Sequence, residues 1–255
     1  MVSLLDSMKL SSLRKDIGVL VLRLLLAEII LGLSVFLANY FFDVEAEFSG
    51  SGLNKLMEYD LFSALALILF EAAVIVLIFW RWQRQFLALD RSERVKEIID
   101  AGEGETTEFK QSLRWDMREQ KYNKELEKAV VKNIAGFMNA DGGVVIVGVS
   151  DGKELSGLQP DYKTLPKANR DGWENHLNQL IKTYIGLYWR RYLKVSFANL
   201  EGKEVCSIEV RAADKPAYFK DNEAESFYVR TGNSTNGLSI SEATEYIGAR
   251  WKGKE

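Results

Sequence analysis

One cysteine and one histidine are all that the 255 residues hold of the two side chains that most often bind zinc. Cys206 has no partner for a disulfide within the chain, which fits a reducing compartment, and Cys206 with His176 cannot complete a zinc site. A G-x-x-x-x-G-K-[ST] stretch is lacking, and Gly102-Glu103-Gly104-Glu105-Thr106-Thr107 departs from G-x-G-x-x-G at its last position and leads into a strand pattern. These absences exclude a P-loop and a dinucleotide-binding turn. Proline is scarce, and no internal repeat or low-complexity run occurs. A basic excess is lacking too: of 33 Lys+Arg and 36 Asp+Glu, residues 1–100 hold 10 and 13, which leaves residues 101–255 balanced. Proteins that coat nucleic acid non-specifically carry such an excess, so any nucleic-acid contact must rest on cations gathered on one face. Chemistry in this chain falls to carboxylates, lysines, hydroxyls or backbone groups.

What is present is strongly apolar near the N-terminus. Residues 17–42 (IGVLVLRLLLAEIILGLSVFLANYFF) and 61–82 (LFSALALILFEAAVIVLIFWRW) each exceed the roughly 20 helical residues that cross a bilayer core. The first is also longer than the apolar stretch of a signal peptide and has no A-x-A cleavage site after it. We therefore expect a two-helix transmembrane hairpin. Lys9, Arg14 and Lys15 precede the first span and Arg81 and Arg84 follow the second, while the intervening loop is acidic. Basic flanks stay inside, so the hairpin predicts an inner (cytoplasmic) membrane protein, two-pass, with both termini cytoplasmic. Arg23 lies near enough to a span end to snorkel. Glu28 and Glu71 are better explained by pairing between helices, within one chain or between copies of a homo-oligomer, than by a transport path.

The expected organisation is a cytoplasmic N-terminus at 1–16, spans at 17–42 and 61–82, an external loop at 43–60, a helical connector at 83–102 and a soluble domain at 103–255. In that domain, helical spacing over 118–139 aligns Leu126, Val130, Ile134, Phe137 and Met138, and ends at Asn139-Ala140-Asp141-Gly142-Gly143. GVVIVGV at 143–149 reads as a buried central strand. A helix over 171–186 follows, then strands KVSFANL and EVCSIEVRA about Glu201-Gly202, a strand SFYVRT, and a last helix opened by the capping-box pattern Ser239-Ile240-Ser241-Glu242. The fold class expected is α+β, a mixed sheet with packed helices.

Three carboxylates crowd GEGETTEFK: Glu103, Glu105 and Glu108. Such repulsion is tolerated on a solvated turn or around a cation, and spacing alone leaves both readings open. Gly142-Gly143 either lets a ligand approach the backbone or serves tight packing. Arg230, Gly232, Ser234 and Thr235 in YVRTGNST either contact phosphate or close a strand. Arg190, Arg191 and Lys194, beside Tyr188, Trp189 and Tyr192, either bind stacked bases or are the basic ends of a half-buried strand. His176 sits in an amphipathic helix as a surface or boundary residue.

The succession GEGETTEFK, AGFMNADGG, VVIVGVSDGKELSGL and FYVRTGNST, over about residues 95–250, resembles the Schlafen-type AlbA-like domain, shared by Schlafen proteins and bacterial proteins labelled divergent AAA or ATP-binding. Residues 1–90 have no counterpart in it. The bacterial label implies ATP or another nucleotide as ligand. The Schlafen branch implies a metal-dependent ribonuclease acting on tRNA-like or ribosomal RNA. By that resemblance Glu103, Glu108 and Asp151 hold Mg²⁺ or Mn²⁺ and Lys110 steadies charge on the phosphate. The alternative expectation is a catalytically silent nucleotide- or nucleic-acid-binding sensor coupled to the membrane segment.

Overall fold

The structure, a computed structural model, describes residues 54–222 and 224–252 together with Ile29, Gly32 and Leu33. The chain divides into two units, Met1–Arg84 and Gln85–Glu255.

α1 (Asn54–Ala101) begins inside the expected external loop and runs without a break through the second expected span and the connector, its residues from Gln85 on belonging to the second unit. No proline or glycine interrupts residues 54–101, so nothing in that sequence stops the helix before Gly102. Its stretch Ile68–Ala101 is the one helix among the described residues that is long and apolar enough to cross a membrane. Leu69, Phe70, Val76, Leu77 and Ile78 on it are exposed, as is Glu71. The first expected span, 17–42, and Glu28 within it lie outside the described residues apart from Ile29, Gly32 and Leu33, which are helical. Gly32 faces Ile68, whose Cδ1 lies 3.5 Å from where a Cβ would stand.

The second unit is a mixed α+β domain. Its main sheet has the order β1-β4-β6-β5, from β1 (Thr107–Lys110), β4 (Gly143–Val147), β5 (Leu193–Leu200) and β6 (Lys203–Val210). β1 and β4 pair in parallel and the others antiparallel. The apolar run of β4 follows from cover on both faces. Ile146 joins Phe109, Val205 and the end of α1 (Val95, Ile99) on one face, while Val145 and Val147 join Val130, Ile134 and Phe137 of α2 (Lys124–Asn139) on the other. Each such side chain contributes about 1.5–3 kcal/mol on burial.

The expected helix over 118–139 starts only at Lys124, because residues before it form a small hairpin of β2 (Trp115–Asp116) and β3 (Lys121–Tyr122). Asp116 accepts the amides of Arg118 and Glu119, which closes the turn, and Asn123 caps the helix by accepting the amide of Glu125. Beyond β4 come a short helix, α3 (Gln159–Tyr162), then α4 (Arg170–Tyr184) and a 3₁₀ turn over Leu187–Tyr192. Glu201 and Gly202 both have positive φ, the condition for the tight hairpin read from the sequence. A second sheet, β7 (Phe219–Asp221), β8 (Ala224–Thr231) and β9 (Ser234–Leu238), carries the last helix, α5 (Ile240–Trp251), on Phe227 and Val229. The capping box at Ser239 and Glu242 is formed as expected.

Candidate functional site

Glu108 stands in the middle of β1, 9% exposed, and both its oxygens are taken. Oε1 accepts from Lys110 Nζ at 2.5 Å and Asn133 Nδ2 at 3.1 Å; Oε2 accepts from Arg230 Nη1 at 2.6 Å. The pleat brings Lys110 to Glu108, since residues two apart share a face, and Asn133 arrives from the buried side of α2. Arg230 reaches in from β8, and its Nη2 donates to the carbonyls of Gly104 (2.7 Å) and Thr107 (3.0 Å). Glu103, exposed on the preceding turn, accepts the amide of Phe109 at 2.7 Å. The result is a clamp: one arginine joins the acidic turn and the β8–β9 hairpin through a buried ion pair.

Several sequence expectations change with this geometry. Arg230 is turned inward and is 5% exposed, so its charge serves Glu108 and not an outside phosphate. Thr235 packs on Gly136, where a Cβ would approach its Cγ2 to 2.6 Å, while Gly232 and Ser234 stay exposed in the turn. Gly142 and Gly143 serve packing. A Cβ on Gly142, which has φ +83°, would lie 2.6 Å from the Val210 carbonyl, and one on Gly143 would lie 2.5 Å from the Phe137 ring. Arg190 is held by Asn178, Glu174 and the Leu193 carbonyl, and Lys194 pairs with Glu209 at 2.8 Å. His176 is half-buried, its Nε2 2.6 Å from Glu127 Oε1, where Arg114 Nε lies at 3.2 Å. Tyr122 donates to the other oxygen of Glu127 at 3.0 Å; burial first, then that bond, pushes its hydroxyl pKa up. Burial likewise pushes the Cys206 thiol well up, which removes it as a nucleophile.

A separate surface gathers unburied cations on aromatic rings. Tyr188, 40% exposed, has the guanidinium carbon of Arg191 and the ammonium of Lys215 each 3.9 Å from its ring centroid. Trp189 meets it edge-on at 5.1 Å and Tyr192 lies at 6.2 Å. Arg211 sits 5.6 Å from the Tyr192 ring and donates to the Arg191 carbonyl. Asp214, 3.8 Å from Arg191, is the acid that offsets them. The sequence reading found Arg191 and the rings but missed Arg211 and Lys215, because only β5–β6 pairing returns that segment to the 3₁₀ turn. An open cleft of about 620 Å³ near the end of α1 holds Lys96, Lys153 and Lys203. Asp100, Glu154 and Glu201 also line it, and Lys153 and Lys203 donate to backbone carbonyls, so it offers little to an anion such as ATP.

Residues 103–239 match the family described as Schlafen, AlbA_2. The chain belongs to that family. Among solved structures, the DIP2311 protein from Corynebacterium diphtheriae is 23% identical over 57% of this chain and 27% of its own, with a TM-score of 0.41. The N-terminal domain of a RecG-related protein from Nitrosomonas europaea is 17% identical over 53% of this chain and 82% of its own, with a TM-score of 0.32. This chain thus spans about a quarter of the length of the first. Comparison with curated proteins yields no match.

The Schlafen resemblance implies a divalent ion on Glu103, Glu108 and Asp151, and the donor arrangement of this Schlafen, AlbA_2 domain does not fit one. Asp151 lies past the end of β4 in an exposed turn, whereas Glu108 pairs in register with Val145 near the middle of that strand. Among the described residues no three His, Cys, Asp or Glu side chains gather as a metal would need. Glu108 would first have to give up Arg230, Lys110 and Asn133, and Lys110 is equally committed to Glu108.

Proposed function

We propose that this Schlafen, AlbA_2 domain binds nucleic acid through the surface around Tyr188, and that the apolar helix holds it at the cytoplasmic face of a membrane. The observation that carries the binding is the placement of Arg191, Arg211 and Lys215 on aromatic rings in a domain whose net charge is balanced. Phosphates supply affinity to such a surface and rings accept bases, so cations clustered with rings suit a polynucleotide better than either alone.

The salt dependence of binding tests this reading. In full-length protein, fluorescence anisotropy with a labelled oligonucleotide is expected to show log K falling with log salt. Removing Arg191 or Lys215 is expected to weaken binding and reduce the slope by about one. Lys194→Ala serves as the control, since its ammonium is already paired with Glu209. An unchanged slope in both Arg191 and Lys215 variants would rule out this surface.

Support for membrane placement comes from the exposed apolar side chains of Leu65, Ile68, Leu69, Phe70, Leu77 and Ile78, followed by Trp80, Arg81, Trp82 and Arg84, with the Arg84 guanidinium carbon 3.6 Å over Trp80. Tryptophan and arginine in succession mark the water interface on the basic, inner side. A reporter fused after Gly102 is expected to be cytoplasmic and a tag near Gly52 to be reached from outside. Protection of the Gly52 tag from added protease on intact cells would overturn the two-span topology.

A further inference from the structure

We infer that the ligand of the Tyr188 surface is single-stranded, and that one unpaired base stacks on the layer formed by Tyr188 and Arg191; this rests on the nucleic-acid reading above and narrows it. In a duplex each base is covered on both faces by its neighbours, so only edges and phosphates are offered. Cations alone recognise those. An exposed ring bearing a guanidinium adds a flat, polarisable surface that only an unpaired base can use.

The layer is set in advance. Trp189, itself buried, meets Tyr188 edge-on at 5.1 Å and fixes the ring from below, while Arg191 donates to the Tyr188 hydroxyl and lies over the ring. The Arg191 side chain, its guanidinium carbon 5.4 Å from the Tyr192 ring as well, is still more than half exposed. Arg191 also feels Asp214, and Arg211 holds the Arg191 carbonyl, so both ends of that residue are restrained. Lys215 sits on the same ring through a flexible stem. An arriving base can take its place on Tyr188 while the ammonium moves to the adjoining phosphate, which keeps the cation paired throughout. Tyr192, 6.2 Å from Tyr188, is buried, so the ring that this cluster offers to a base is Tyr188.

The test compares full-length protein, in detergent, with oligouridylate, oligothymidylate, a duplex of mixed sequence and an abasic oligonucleotide that keeps the phosphates. Both single strands are expected to bind more tightly than the duplex, and a preference between the two separates RNA from DNA as the source of the base. Tyr188→Ala is expected to weaken single-strand binding about 10-fold or more, within the range for loss of one base stack, and to weaken duplex binding, which keeps only the phosphate contacts, by a clearly smaller factor. Tyr188→Trp is expected to restore it, and the abasic strand to bind the wild type about as weakly as oligouridylate binds Tyr188→Ala. Equal losses for single strand and duplex in Tyr188→Ala, or an abasic strand that binds as well as oligouridylate, would overturn the stacking assignment while leaving nucleic-acid binding in place. Absence of binding to every one of these probes would instead remove the reading on which the assignment rests.

Discussion

Asp161→Ala is expected to lower the stability of the domain by about 3 kcal/mol or more, since several buried donors would each lose a charged acceptor at about 1–3 kcal/mol apiece before relaxation. Asp161 is 1% exposed and sits in the single turn α3. Its Oδ1 accepts from Ser112 Oγ (2.6 Å) and the amides of Arg114 and Trp115 (both 3.0 Å), and its Oδ2 from the amide of Leu113 (2.8 Å) and Trp173 Nε1 (3.2 Å). One carboxylate thus anchors the segment leading from β1 into the β2–β3 hairpin and ties α4 to it. In thermal unfolding followed by tryptophan fluorescence, a loss of that size corresponds to a fall of about 6–12 °C for a domain of this size. Asp161→Asn is expected to recover little, because its amide nitrogen would face N–H donors. A loss below about 1 kcal/mol for both variants would mean that water replaces the carboxylate and that the segment is not anchored there.

The sequence held almost no trace of that anchor, and the reason is distance along the chain. Asp161 lies in Gln159-Pro160-Asp161-Tyr162, an ordinary turn by composition, and four of its five donors are 46–49 residues earlier. Most features set by near neighbours were legible. The continuous apolar run of the buried strand at Val145-Ile146-Val147, the apolar face from Val130 to Met138, the Glu201-Gly202 turn and the Ser239 cap all follow from residues within a few positions of each other. Two local turns lie outside the helical and strand periodicities: Asp116 accepts the amides of Arg118 and Glu119 and takes residues 118–122 out of the expected helix into a hairpin, and Ser234–Leu238 continue past the turn as β9. For the candidate site the same division holds. A separation of two in a strand puts Glu108 and Lys110 on one face, but no local pattern could show that Arg230, 122 residues away, occupies the second oxygen of Glu108.

Glu108→Gln should therefore act on folding. Arg230 would be left buried without its charge partner, and breaking such a pair from one side costs about 3–5 kcal/mol. Arg230→Lys should not restore the loss: an ammonium cannot span Glu108 and the carbonyls of Gly104 and Thr107 in the planar geometry that the guanidinium uses. Replacing both partners together, Glu108→Gln with Arg230→Met, should cost less than the two single changes added, because no lone charge stays buried. A metal site on the same acids makes the opposite forecast. There Glu108→Gln removes repulsion between carboxylates and leaves folding intact or improved, and Mn²⁺ raises the melting temperature of the wild type by binding the native state but not that of the variant. The two are separated by melting full-length wild type and Glu108→Gln with and without Mn²⁺. The clamp predicts a large fall in the variant and no Mn²⁺ effect that depends on Glu108. A Mn²⁺-induced rise in the wild type, lost in a variant that is otherwise as stable, would show that Arg230 yields its place to an ion and that the clamp is one state of a metal centre.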